Sequence, residues 1–127
     1  MYLSNLKELN LSKNEITLQA NEIGALWSLE KLDISDNSGL SSDNLILSIS
    51  ENKRLKDLTI NGIVSSKSIQ LLSQMNLERL ELTNVQKPSG IDFTRFPTTK
   101  KIAFTHSSNW LSNDNIKQFD RVSELEL

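Results

Sequence analysis

The 127-residue chain contains no cysteine, which excludes disulfide bridges, thiolate nucleophiles and thiolate zinc sites. It has a single histidine, His106, so a metal centre built on paired imidazoles is excluded as well and no metal is expected. Four glycines in the whole chain form no glycine-rich phosphate loop, and no nucleophile elbow is present. No run of about 18 apolar residues occurs, so no membrane-spanning helix is expected. Positive charge is not in excess: 14 basic residues stand against 16 acidic ones, and neither nucleic acid nor an anionic membrane is an expected partner. The first residues, Met1 to Glu8, lack the basic start and apolar stretch of a secretory signal. A cytoplasmic location is the expectation, with delivery by a secretion system or membership of a larger protein left open.

What is present is a repeat. Leu6, Leu9, Leu11 and Asn14 share the spacing L-x-x-L-x-L-x-x-N with Leu29, Leu32, Ile34 and Asn37. Shorter copies occur at Leu55-Leu58-Ile60, Leu77-Leu80-Leu82, Thr99-Ile102-Phe104 and Val122-Leu125-Leu127. The first positions are separated by 23, 26, 22, 22 and 23 residues. Of the eighteen positions in these three columns seventeen are apolar, in a chain only 37% hydrophobic. Alternate residues of a strand face opposite ways, so Leu9 and Leu11 are predicted to enter a core while Asn10 faces out.

This pattern resembles the leucine-rich repeat family over essentially the whole chain. The resemblance implies an α/β fold: a right-handed solenoid with a concave parallel β-sheet, one short strand per repeat, and a convex side of mixed helix and loop. It also implies that the closing asparagine of each motif turns inward to bond backbone of the neighbouring turn, a role that Asn14 and Asn37 match. Ile63, Val85 and Ser107 occupy the corresponding later positions, so a regular front half and a less regular back half are expected. The whole of residues 1–127 reads as a single leucine-rich repeat domain.

Between the strands, Leu45, Ile46 and Ile49 recur at helical spacing after Ser42-Asp43, and Ile69, Leu72 and Met75 do so after Ser65-Ser66. Ile116 and Phe119 come after Ser112 in the same way, whereas Lys87-Pro88-Ser89-Gly90 and Phe96-Pro97 predict loop or a short tight turn over 86–98. Trp27 and Trp110 are expected to pack the convex side.

No constellation of nucleophile, base and stabiliser is legible, so the chain reads as noncatalytic, with no catalytic residue and no cofactor. Asn10-Leu11-Ser12 matches a glycosylation acceptor only formally, since Leu11 belongs to the core pattern. The informative surface is the outward grid: Glu8, Asn10 and Ser12; Lys31, Asp33 and Ser35; Asp57, Thr59 and Asn61; Arg79, Glu81 and Thr83; Lys101, Ala103 and Thr105; and Glu124 with Glu126. Six of these are acidic and three basic. Asn10, Lys31, Asp33, Thr59, Arg79 and Glu81 are the candidate binding residues, for a protein or peptide partner. The resemblance implies two functions. One is a noncatalytic protein-binding module; the alternative is the targeting or regulatory arm of a larger enzyme, of the effector-ligase or multidomain GTPase type. Neither end carries a polar cap, and Val122, Leu125 and Leu127 fall on a terminal strand. The expectation is either a part of a longer solenoid or self-association through that strand edge.

Overall fold

A computed structural model describes residues 4–16, 22, 25–37, 43–61 and 65–83, together with the strand backbones at 101–105 and 124–126. Six strands form one sheet: β1 (Glu8–Asn10), β2 (Lys31–Asp33), β3 (Asp57–Asn61), β4 (Arg79–Thr83), β5 (Lys101–Thr105) and β6 (Glu124–Glu126). They are parallel and lie side by side in chain order. The register aligns the repeats position by position. Leu9 stands beside Leu32, Leu32 beside Leu58, Leu58 beside Leu80, Leu80 beside Ile102 and Ile102 beside Leu125.

That register explains why the middle column is apolar. Leu32, Leu58 and Leu80 are buried, as are Leu29, Leu55 and Leu77 before them and Ile34, Ile60 and Leu82 after them. All nine belong to one hydrophobic cluster, against which Leu6, Leu9 and Leu11 pack half-buried. Each buried Leu or Ile contributes about 1.5–3 kcal/mol. The columns therefore dominate the stability of the sheet.

Among the described residues two helices cover the same side. Helix α1 (Asp43–Ser50) buries Leu45, Ile46 and Ile49, the residues whose helical spacing predicts it. Helix α2 (Ser66–Ser73) starts at the N-cap Ser65, whose hydroxyl accepts from the backbone N–H groups of Lys67 and Ser68. Leu72 and Met75 are buried in the same cluster as α1, and the two helices pack against each other. Asp43, in the first turn of α1, accepts hydrogen bonds from the hydroxyls of Ser65 (3.3 Å) and Ser68. It thereby ties the starts of the two helices together. The Ser68 bond holds the Asp43 carboxyl below its ordinary value; desolvation opposes this, and Ser65 and the charge of Lys67 assist it.

Asparagines close the strand ends. Asn37 is 1% exposed; its Nδ2 donates to the carbonyls of Leu11 (2.8 Å), Ile34 (3.1 Å) and Ser35 (3.0 Å), and its Oδ1 accepts from the N–H of Ile16 (3.3 Å). It spans two repeats, as the resemblance implies. Asn14 departs from that expectation, because it is exposed and, among the described residues, its side chain bonds the carbonyls of its own turn, Leu11 and Ser12. Asn37 has the turn at 11–16 on one flank, whereas no described turn lies on the outer flank of Asn14. Just before each asparagine the chain takes a left-handed conformation, at Lys13 (φ 58°) and Asp36 (φ 54°). Asn52 works at the opposite end of the strands. Its Nδ2 donates to the carbonyls of Leu26 and Leu29, both at 3.2 Å, and its Oδ1 accepts from Arg54 N–H.

Trp27 overturns the packing expectation, since it is 67% exposed. Leu26 and Leu29 fill the core on either side of it, so the turn between them directs the indole outward. Trp110, His106, Ile63, Val85, Ser107, the helix expected around Ile116 and Phe119, and the loop expected over 86–98 lie outside the described residues. So do the side chains of Val122, Leu125 and Leu127. Among the described residues no helix is long and apolar enough to cross a membrane.

Removing these polar ties should have unequal effects on stability. Asn37→Ala strands three carbonyls and an N–H at a buried site and should cost about 2–4 kcal/mol, against less than about 1 kcal/mol for the exposed Asn14→Ala. Equal losses in urea unfolding would show that Asn37 is not the tie described. For Asp43, the lowered folded value means that its contribution is complete above the ordinary carboxylate value of 3.8 and fades as the pH falls through the folded value. Between about pH 6 and about pH 3 the wild type should therefore lose more stability than Asp43→Asn, and a parallel decline of the two would contradict the assignment.

Candidate functional site

The sheet face opposite the helices is polar because strand alternation sends every second residue there. The register arranges these side chains in rows across the strands. One row runs Glu8, Lys31, Asp57, Arg79, and the next runs Asn10, Asp33, Thr59, Glu81. All six residues expected to bind, Asn10, Lys31, Asp33, Thr59, Arg79 and Glu81, line one depression of about 570 Å³. Glu8, Asp57, Leu9 and Leu32 complete its lining.

The first row alternates in sign from β1 to β4. A parallel row preceding it, Lys7, Glu30, Lys56 and Glu78, alternates in the opposite phase. Lys7 pairs with Glu30 at 3.2 Å and Lys56 with Glu78 at 3.8 Å. These four side chains are more than half exposed, so each pair is worth little.

Arg79 is different. Its Nη1 donates to Asp57 Oδ1 (3.0 Å) and to Thr59 Oγ1 (3.3 Å), and its Nη2 donates to Glu81. Burial works against the Arg79 charge, but the hydrogen bonds to Glu81 and Asp57 outweigh it and raise its pKa. The guanidinium is therefore a fixed cation. Its neighbour across the register on β5 is Lys101, a like charge, so the pairing towards β3 is also the favourable direction. Reaching that way, Arg79 covers Thr59, which is only 8% exposed. The sequence predicts Thr59 as an outward side chain; the structure places it in the floor of the depression.

At the other end of the face the groups are held by local turns. Asn10 Oδ1 accepts from the N–H and hydroxyl of Ser12, and Asp33 Oδ1 accepts from the N–H and hydroxyl of Ser35. Lys31 is exposed, and its side chain makes no hydrogen bond or ion pair to a described residue. No family model and no curated protein matches this chain. Among the described residues no group of His, Cys, Asp and Glu side chains is arranged to hold a metal ion. The depression is thus a concave charged surface fixed at both ends, by Arg79 on one side and by the two serine turns on the other.

Side-chain exposures of 31% for Arg79, 27% for Asp57 and 20% for Glu81 put this cluster in a less screened setting than the Lys56–Glu78 pair. Arg79→Met should cost about 1 kcal/mol at low salt and less at high salt, while Lys56→Met should cost under about 0.5 kcal/mol. Urea unfolding at two ionic strengths compares them. If the two variants lose the same stability with the same salt dependence, the Arg79 cluster is no stronger than a surface pair.

Proposed function

We propose that the chain is a leucine-rich repeat solenoid, a right-handed coil with its parallel sheet on the concave side, and that it acts as a noncatalytic protein-binding module. The architectural half rests on the repeat spacing, on strands paired in chain order and in register, and on the buried Asn37 tie between successive turns. One observation carries the functional half. An all-parallel sheet ordinarily has both faces covered by helices and reads as continuous apolar runs. Here α1 and α2 share the core on one side, while the other face presents charged residues around a depression. A face so built stays exposed without aggregating and offers a rigid grid to a protein or peptide.

Exchange of the charges at two adjacent positions tests the reading. The double variant Lys31→Asp with Asp33→Lys keeps the net charge of the face and changes only its pattern. Peptides selected from a display library on the full wild-type chain should lose about tenfold or more in affinity for the variant, chiefly through slower association, and the loss should shrink with salt. Circular dichroism checks that the fold persists. Selected peptides indifferent to the exchange would move the binding surface elsewhere, and a library that yields no binder would count against a recognition role.

A further inference from the structure

The chemistry of a partner for the sheet face can be inferred from its side chains, given the reading of that face as a recognition surface. Four carboxylates, Glu8, Asp33, Asp57 and Glu81, line the depression against two cations, Lys31 and Arg79. Arg79 is already engaged by Asp57, Glu81 and Thr59, so it offers an incoming anion little. A second observation is independent of charge. Thr59 is 8% exposed and lines the depression; its hydroxyl oxygen accepts from Arg79, and the hydroxyl donates to no described group. The hydroxyl proton is therefore directed to no described acceptor, and in the depression it can be given to an acceptor of a bound chain in place of water. Thr59 stands directly beside Asp33 in the register.

An apolar partner would desolvate the Glu8 and Asp33 carboxylates, which Arg79 does not engage, and an acidic one would meet a net negative surface. A cationic side chain answers the charge, and arginine fits better than lysine because its planar fork pairs with a carboxylate through two hydrogen bonds. Strands about 4.8 Å apart place Asp33 and Thr59 within reach of one residue of a bound chain. We propose that this depression takes an arginine-bearing peptide segment, with the guanidinium on Asp33 and a neighbouring peptide carbonyl accepting the Thr59 hydroxyl. Lys31, at the rim beside Asp33, opposes the incoming cation and tunes its affinity.

The experiment titrates the isotope-labelled full chain with the blocked peptide Gly-Gly-Arg-Gly-Gly, and with the Lys and Glu counterparts, by NMR. The Arg peptide should shift the amides of Asp33 and Thr59, the Lys peptide should bind more weakly, and the Glu peptide should leave them unmoved. Asp33→Asn and Thr59→Val should each weaken the Arg peptide about fivefold or more, and Lys31→Ala should tighten it. Equal binding of the Glu peptide, or Arg binding insensitive to Asp33→Asn and Thr59→Val, overturns the proposal. Display-selected peptides that lack a cation yet depend on Lys31 and Asp33 would overturn the arginine assignment and leave the recognition role standing. Failure of every peptide, selected or designed, to bind this face would sink both.

Discussion

The structure depends on one constraint: each repeat supplies a single strand whose apolar residues cannot be buried by that repeat alone. Leu58 disappears from solvent only because Leu32 and Leu80 flank it across the sheet and the helices close over them. The stacking requirement sets the parallel register, because only that register puts leucine beside leucine. Once it is set, the outward residues have no freedom of position. Their rows across the strands, and the depression that they line, are by-products of burying the other face.

The polar ties obey the same rule. Asn37 reaches Leu11, Asn52 reaches Leu26 and Leu29, Asp43 is reached from Ser65 and Ser68, and Arg79 reaches Asp57. Each joins residues about one repeat apart, so these ties brace a turn by its immediate neighbour. In a stack braced from neighbour to neighbour, stability is a sum of units and nearest-neighbour interfaces. Loss of a tie such as Asn37 should be felt most in the turns at 11–16 and 34–37 that it joins.

Position was legible in the sequence and partnership was not. Strand alternation and the repeat period identify Leu9, Leu32, Leu58 and Leu80 as inward and Asn10, Asp33, Thr59 and Glu81 as outward, and the helical spacing of Leu45, Ile46 and Ile49 identifies α1. A long side chain, however, has several neighbours at similar distance. That Arg79 would turn to Asp57 and Glu81, and bury Thr59 in doing so, depends on the field of the whole row. Asn52 was missed because it occurs once and no periodicity draws attention to it. Asn14 and Asn37 hold the same motif position, but burial depends on what lies on both flanks, which a motif does not encode. Trp27 fails for a related reason: its size favours burial, but the leucines on either side already occupy the interior.

The alternating charges of the two rows have a bearing on folding errors. Neighbouring strands in the native order set Lys7 against Glu30 and Lys56 against Glu78, with Glu8 beside Lys31 and Asp57 beside Arg79. Within β1 to β4, a strand that skipped its neighbour would meet its own sign. Were β1 laid against β3, Lys7 would face Lys56 and Glu8 would face Asp57; were β2 laid against β4, Glu30 would face Glu78 and Lys31 would face Arg79. The leucines cannot police such mistakes, because every strand offers the same apolar profile to every other. Each like-charge contact is worth only about 0.2–1 kcal/mol, but a skipped pairing incurs two at once. The exposed charges therefore give the first four strands an address, distinguishing odd from even and favouring their assembly in chain order.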